Sequence, residues 1–317
     1  MNIALGLALL PYHLRIGILD LDVFGPSIPT LMGLKNASEP KTTEDGALIP
    51  LRNHGIPTMS MGYLIRNQEA DTPIVWRGLM VQKAVQQLLF DVDWRDKSKE
   101  GLDVLVIDMP PGTGDVPLTL GQLVNVDGAI ASLRLILGMN MTFLIGSIIT
   151  STPQDVSLID VSKGISMFRK LGIPVSSFSN SSSGTDRINI SQLTGLILNQ
   201  AYSMSAPCPV CSAEGREVKP WKHYVYGPPH TFRATAARLG IPILAEIPVL
   251  PGMSTRGDAG IPYVLPWSHG DAIPAVDEHQ SAEDAKIYAE WQSGQAEAYR
   301  ETMRSVVQTI WEQLAHV

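Results

Sequence analysis

The chain has 317 residues, of which 44% are hydrophobic, so it can bury a substantial core as one large domain or two small ones. Its formal net charge is −7 and no basic stripe occurs, which argues against a nucleic-acid partner. Its two cysteines, Cys208 and Cys211, exclude a scaffold built on disulfides.

The N-terminal part of the chain predicts a helix and then a strand that ends in carboxylates. Residues 2–10 are mostly apolar and stop at Pro11, and residues 15–22 form a buried strand pattern. Asp20 and Asp22 are two residues apart, so a regular strand would place both on one face. The turn that begins near Asp22 can redirect its side chain.

A second segment of the same kind covers residues 102–115, and the repeated pattern predicts two adjacent parallel strands that deliver aspartates to one edge of the sheet. Its aliphatic run, 104–107, is typical of a strand buried on both faces of a parallel sheet, and it ends at Asp108. Ligands of open α/β sheets bind outside the carboxyl ends of such strands. A carboxylate there, among small turn residues, suits a hydrated Mg²⁺ beside phosphates. The alternative is that Asp22 and Asp108 only cap their turns.

The other predicted elements alternate between strand and helix. The strands are a peripheral strand or hairpin in 49–61, a strand end near 148–154, 193–198 closed by Asn199, and 241–249; the helices are 81–90, 117–124, 155–171, 232–239 and 284–314. This alternation predicts a doubly wound, mostly parallel sheet with helices on both faces. Residues 129–149 have the length of a membrane helix, but that helix would split the sheet, so we expect no membrane span.

Cys208 and Cys211 form a Cys-x-x-Cys pair on a proline-containing loop, a spacing that lets two thiolates ligate one metal ion or cluster. A thioredoxin-type redox pair should open a helix directly after an early strand, which this pair does not. A zinc site would need two more ligands, for which His223 and His230 are the nearest candidates. A four-thiolate site needs a second subunit, as in a symmetric dimer. Two ordinary loop cysteines are the remaining alternative.

Together these segments resemble the Mrp/Nbp-type family of P-loop iron–sulfur cluster carriers, which belongs to the deviant-Walker ATPase class with MinD and ParA. The segments that carry the resemblance are the switch I-like 17–27, the Trp-Arg-Gly-Leu-Met element 76–80, the Walker B and switch II-like 106–115, the Ser-Thr-Pro-Gln-Asp run 151–155, the cysteine pair and the Ile-Pro…Ile-Pro strand 241–248. Leu79 is more similar to the mitochondrial branch that serves respiratory complex I assembly.

The resemblance implies roles for residues at matching positions. Asp22 would help to orient the attacking water and Asp108 would bind Mg²⁺ through water, so these two form the expected catalytic pair. Asn199 would contact the adenine of ATP. The other residues expected at the nucleotide are Asp20, Gly112 and Pro248.

For the cysteines, the resemblance implies that Cys208 and Cys211 supply half of a labile 4Fe–4S cluster that bridges a homodimer. The expected recipients are apo iron–sulfur proteins, with complex I subunits foremost, and the expected compartment is the mitochondrial matrix, with the cytoplasm as the alternative. The competing functions are a MinD/ParA-like ATPase switch, in which the cysteines bind zinc or nothing, and a scaffold that does not hydrolyse ATP.

Three features depart from the family pattern. The Gly-Lys-Gly-Gly-Val-Gly-Lys-Ser/Thr loop is absent, and the chain begins on what resembles the helix after it, so ATP hydrolysis stays open and the presequence would lie upstream. Residues 131–148 and 176–194 interrupt predicted strands, which tolerate insertions poorly. We hypothesise a truncated conceptual translation with two retained introns, which sequencing of the transcript tests.

The expected organisation is a single α/β domain over residues 1–317 that lacks the first strand and phosphate loop of the family. Within it we place a Cys-containing loop at 206–231 and a C-terminal extension with its helix at 265–317.

Overall fold

The computed structural model describes residues 1–65, 78–96, 100–111, 114–124, 147–170, 194–206, 211, 220–266 and 282–315. The helices are α1 (Asn2–Ala8), α2 (Ile28–Leu31), α3 (Gly78–Phe90), α4 (Asp115–Val124), α5 (Asp155–Lys170), α6 (His230–Leu239), α7 (Met253–Asp258) and α8 (Ala282–Ala315). The strands are β1 (Ile16–Asp20), β2 (Leu51–Asn53), β3 (Ile56–Ser60), β4 (Val104–Asp108), β5 (Ser147–Ser151), β6 (Thr194–Leu198), β7 (Ser203–Met204), β8 (Lys222–His223) and β9 (Ile243–Glu246).

These strands form two mainly parallel sheets and one small hairpin. The first sheet has the order β2-β3-β1-β4, in which β1 pairs in parallel with β3 and β4, and β2 joins β3 as an antiparallel edge. The second sheet, β5-β6-β9, is parallel throughout. Strands β7 and β8 pair with each other in antiparallel fashion. The mostly parallel α/β architecture is therefore the one that the sequence predicts.

Helices cover β1 on both faces. Ile18 belongs to a core cluster that also contains residues of α1, α8, β6 and β9. Leu19, the next residue, belongs to a second cluster with Val85 and Leu88 of α3. Successive strand side chains point to opposite faces, so this division means that β1 is buried between two helical layers. The two sheets share the first cluster, to which Ile197 and Ala245 also belong.

Several elements differ from the sequence-based prediction. Strands β2 and β3 form the antiparallel hairpin expected in 49–61, but β3 is an inner strand with all five residues buried, because β2 occupies the edge beside it. Strand β4 is half-buried along its whole length, since it is the last strand of its sheet in the described part of the chain. Helices α2 and α7 and the β7–β8 hairpin are short elements that the sequence pattern did not reveal.

The interruptions expected at 131–148 and 176–194 lie mostly outside the described residues. Their last residues do not interrupt a strand: Ser147 and Ile148 open β5, and Thr194 opens β6. Among the helices that the structure describes, none combines the length and the apolar character needed to cross a membrane.

Candidate functional site

Three polar side chains meet at the carboxyl edge of the first sheet. The parallel register places Asp20 of β1 opposite Asp108 of β4 on one side and opposite Ser60 of β3 on the other. The backbone N–H of Leu21 donates to the Asp108 carbonyl at 2.9 Å, so the alignment continues beyond the end of β1. The prediction that two neighbouring strands deliver aspartates to one edge is therefore confirmed.

Asp20 is 1% exposed and its carboxylate is fully engaged within the chain. Its Oδ2 accepts from Ser60 Oγ at 3.0 Å and from the Ile28 N–H at 3.3 Å, while its Oδ1 accepts from the Asp22 N–H at 3.0 Å. Burial raises the pKa of Asp20 to about 6, although these hydrogen bonds favour the charged form. The side chain therefore ties β1, β3 and the start of α2 together, which is a positioning role.

Asp22 lies beyond the end of β1, in a turn. Its Oδ1 accepts hydrogen bonds from the N–H groups of Phe24 at 3.2 Å and Gly25 at 3.1 Å, an Asx-type arrangement that fixes the loop. The side chain is half-exposed. The turn thus removes Asp22 from the strand, so it does not follow the face of Asp20 as a regular strand would require. Among the described contacts, the turn uses only Oδ1 of the Asp22 carboxylate, not Oδ2.

Asp108 ends β4 and is half-buried. Burial raises its pKa, and the nearby Asp22 carboxylate adds to that shift. No side chain in the described ranges donates a hydrogen bond to its carboxylate. Asp22 and Asp108 therefore place two like charges near each other at the sheet edge, an arrangement that a cation would stabilise.

This edge fits Mg²⁺ only as a water-mediated site. In the part of the chain that the structure describes, no three His, Cys, Asp or Glu side chains group closely enough to hold a metal ion alone. Mg²⁺ usually keeps several waters and binds one or two carboxylates together with substrate phosphates. Asp22 and Asp108 provide such a pair, whereas the internal bonds of Asp20 leave it no such role. Gly112 lies outside the described residues.

Asn199 and Pro248 follow neighbouring strands of the second sheet. Strands β6 and β9 pair at Leu198 and Glu246, and Asn199 and Pro248 lie just after these ends. The Asn199 N–H donates to the Ser151 carbonyl at 2.7 Å, and its Oδ1 accepts from the Gln200 N–H at 3.0 Å. Both residues are half-buried and therefore accessible to a ligand.

The β7–β8 hairpin joins the two chain segments that flank Cys208 and Cys211 in the sequence. The Ser205 N–H donates to the Trp221 carbonyl at 3.0 Å, and the Trp221 N–H donates to Ser205 Oγ at 3.1 Å. Cys211 is half-buried, and Cys208 lies outside the described residues. Two-residue strands carry too little alternation to be found in a sequence, so this anchor of the loop was missed.

The two histidines considered as zinc ligands belong to different elements. His223 is in β8, where its ring contacts that of Trp221 with the centroids 3.5 Å apart. His230 is the first residue of α6. Within the described ranges, neither joins Cys211 in a group of three potential metal ligands.

Comparisons with known proteins identify the relatives of this chain. Residues 1–185 match the ParA family model described as NUBPL iron-transfer P-loop NTPase. The chain is 38% identical to the iron-sulfur cluster transfer protein NUBPL of Dictyostelium discoideum over 264 residues, which cover 83% of this chain and 64% of the relative. It is 35% identical to NUBPL of Mus musculus over 274 residues, which cover 86% and 68%.

An Arabidopsis thaliana relative, the iron-sulfur protein required for NADH dehydrogenase, mitochondrial, is 34% identical over 253 residues, which cover 80% of this chain and 62% of the relative. The chain thus spans about three fifths of the length of several of the curated relatives that it matches.

A solved structure supports the fold. The nucleotide-binding protein of Archaeoglobus fulgidus in complex with ADP superposes with a TM-score of 0.52 at 24% identity, covering 88% of this chain and 86% of that one. Together with the family match and the α/β architecture above, these similarities show that the chain belongs to the NUBPL family of iron-transfer P-loop NTPases.

Proposed function

We propose that this protein carries a transient iron–sulfur cluster and delivers it to apo-proteins. The observation that carries the proposal is the cysteine loop: Cys211 is half-buried, and a surface hairpin anchors both ends of the loop at Ser205 and Trp221. A cluster held at such a position can be reached by a recipient. The names of the relatives, which include an iron-sulfur cluster transfer protein and an iron-sulfur cluster carrier protein, support this chemistry.

The number of thiolates determines how the cluster is held. A 4Fe–4S cluster usually takes four cysteine ligands, and this chain has two, Cys208 and Cys211. A second copy of the chain supplies the other pair most simply, because twofold symmetry brings identical residues together. We therefore propose a homodimer that holds one cluster between its protomers.

The carboxylate edge would bind ATP with Mg²⁺. Asp108 would hold the ion through water and Asp22 would orient the attacking water, while Asp20 keeps the loop between β1 and α2 in place. Bound Mg²⁺ would supply positive charge beside the phosphates. The Asn199 amide would contact the adenine, and Gly112 and Pro248 would line the nucleotide. Carboxylate oxygens at this edge suit Mg²⁺ bound to phosphates, because Mg²⁺ prefers oxygen ligands.

For the recipient, we propose subunits of respiratory complex I, with the mitochondrial matrix as the compartment. The support is the printed name of the Arabidopsis relative, which refers to mitochondrial NADH dehydrogenase. Leu79 in the Trp-Arg-Gly-Leu-Met element of this chain is a further similarity to that branch.

Anaerobic reconstitution with iron and sulfide tests the cluster. We expect a broad visible absorbance, one cluster per two chains, and its loss in Cys208→Ala and in Cys211→Ala. Ser203→Ala is the matched control, because Ser203 lies in the same hairpin but offers no thiolate. A colourless protein that retains zinc would favour the MinD/ParA-like switch instead.

Titration with Mg-ATP tests the carboxylate edge separately. Asp108→Asn should weaken binding about tenfold, since each 1.4 kcal/mol of lost interaction corresponds to that factor. Asp160→Asn on the surface of α5, where Asp160 pairs only with Lys163 among the described contacts, is the control for charge alone. Equal affinity of wild type and Asp108→Asn would contradict the assignment.

A further inference from the structure

A groove of about 810 Å³ runs along α5 beside α6, and Leu118 of α4 lies at its rim. Its α5 lining extends from Asp155 to Met167, which is a length of roughly 18 Å at the helical rise of 1.5 Å per residue. None of the lining residues belongs to the carboxylate edge, to the residues expected at the nucleotide or to the cysteine pair. The groove is therefore a separate surface of the molecule.

Short side chains on α5 and α6 leave this groove open. Beneath it, Ile165 of α5 and Phe232 of α6 belong to one buried core cluster, which holds the two helices against the second sheet. In the groove itself, Ser162 of α5 and Thr235 of α6 are too short to close the gap. Ser162 Oγ donates to the Leu158 carbonyl at 3.0 Å, so this hydroxyl needs no partner from a ligand.

The rim of the groove is aliphatic and exposed. Ile159 is 56% exposed and Leu118 is 40% exposed, and both line the groove. Val156, which neighbours Ile159 on the surface of α5, is 71% exposed. Clustered exposure of this kind marks interaction surfaces. Sites for small molecules usually bury most of the ligand, whereas an open groove between helices suits the apolar face of an amphipathic helix.

Opposite charges lie at the two ends of the groove. Helix α5 begins with Asp155 just after the carboxyl end of β5, whereas α6 ends just after Arg238 and before β9 begins. Strands β5 and β9 run in the same direction, because both pair in parallel with β6. Asp155 and Arg238, which are both exposed, therefore mark opposite ends.

We propose that this groove docks an amphipathic helix of a partner protein, antiparallel to α5 and α6. Acidic residues in the first turn of that helix would lie at Arg238, and basic residues in its last turn would lie at Asp155. Helices favour this distribution of charges, and the antiparallel direction also places opposite ends of the helix dipoles together. The aliphatic stripe of the docked helix would cover Ile159 and Leu118. The inference goes beyond the proposed function, because the groove contains none of the residues on which that function depends.

Fluorescence anisotropy of a labelled peptide tests docking to the full chain. The probe is an alanine-rich peptide of about 16 residues with a leucine stripe at helical spacing, glutamates in its first turn and lysines in its last turn. Ile159→Gln should weaken its binding about tenfold, as loss of an apolar anchor does. Leu9→Gln is the matched control, since Leu9 is 57% exposed at the end of α1 and lies outside the groove, so it should bind the peptide as the wild type does.

Arg238→Gln tests the direction of the docked helix. It should weaken binding about two- to fivefold, which is the size of an exposed ion pair. Replacement of the peptide's glutamates by glutamines should weaken binding to the wild type by the same factor and should have no effect on Arg238→Gln. Equal effects of the peptide change on both proteins would refute the antiparallel placement.

The outcomes separate this inference from the proposed function. Absence of peptide binding to the wild type, or equal binding to Ile159→Gln, refutes the docking site. If the peptide does not bind and Ile159→Gln lowers self-association in sedimentation velocity, the occupant is a second copy and the proposal is overturned. Circular dichroism confirms that the variants are folded. Ile159→Gln should load iron and sulfide as the wild type does, so failure of the wild type to load refutes the carrier function and leaves the groove untouched.

Discussion

The carboxylate edge of the first sheet and the β7–β8 hairpin are built in opposite ways. Asp20 is 1% exposed, lies between two helical layers and receives three hydrogen bonds from its own chain. The hairpin consists of two-residue strands, and its side chains Trp221, Tyr224, Val225 and Tyr226 are 37–65% exposed. Burial fixes side chains without a partner, whereas an exposed apolar face gains stability only when something covers it. The monomer thus prepares the carboxylate edge by itself, whereas these hairpin side chains remain exposed to solvent.

The largest loss of stability should come from a substitution at Gly260, which packs against the segment that follows the carboxylate edge. Gly260 has φ +70°, and an added Cβ would overlap the backbone of Gly33, two residues after the end of α2. Gly260→Ala should lower the free energy of unfolding by about 3–5 kcal/mol, because left-handed strain and backbone overlap add together. Urea denaturation measures this loss.

Gly252→Ala separates strain from overlap. Gly252 has a similar φ of +69° but nothing within 4 Å of an added Cβ. Strain alone should cost about 1 kcal/mol there. If both variants lose the same stability, close packing of Gly260 on Gly33 does not support the edge.

Asp20 should make stability depend on pH. Its pKa is raised from 3.8 to about 6 in the folded protein, so between about pH 4 and 6 the native state binds more protons than the unfolded state. The free energy of unfolding should therefore fall by about 3 kcal/mol as the pH rises through that window. Asp20→Asn should reduce this decline, and Asp108, whose pKa is also raised by burial, should supply what remains. Chemical denaturation at several pH values measures the slope.

Asp103 provides a control of opposite sign. Burial alone would raise its pKa, but hydrogen bonds from Arg15 hold the pKa below the ordinary value. The stability that Asp103 contributes is therefore present above about pH 4 and is lost as the pH falls below that value. Asp103→Asn should leave the decline between pH 4 and 6 intact. A wild-type slope in Asp20→Asn would show that another group titrates there.

Ser60→Ala tests the hydrogen-bond network with a smaller effect. Ser60 Oγ donates to Asp20 at 3.0 Å and favours the charged carboxylate, so its removal should raise the Asp20 pKa further. Above that pKa the loss of stability should be about 1.5–3 kcal/mol. Carboxyl ¹³C NMR titration reads the pKa directly. Thr58→Val is the control on the same strand, because Thr58 Oγ1 bonds Tyr63 and Leu51 rather than Asp20; an unchanged Asp20 pKa in Ser60→Ala would contradict the network.

The sequence reveals features that depend on local periodicity and misses those that depend on distant partners. Apolar runs ending in Asp20 and Asp108 predict both strands and their shared edge, and the structure confirms them. Ser60, which is 40 residues from Asp20, gives no local sign of this contact, although a serine ending an apolar strand is a usable clue. The Gly33–Gly260 contact and the two-residue strands carry no periodic signal at all.

Trp221 should give the smallest effect on the isolated monomer. It is 58% exposed, and its ring contacts His223 on the same short hairpin. In the apo chain at low concentration, Trp221→Ala should change the free energy of unfolding by no more than about 0.5 kcal/mol. Phe232→Ala, at a fully buried position of α6, should cost about 3–5 kcal/mol in the same urea experiment. A loss of about 2 kcal/mol in Trp221→Ala would mean that Trp221 stabilises the monomer, and the contrast between a buried edge and an exposed hairpin would fail.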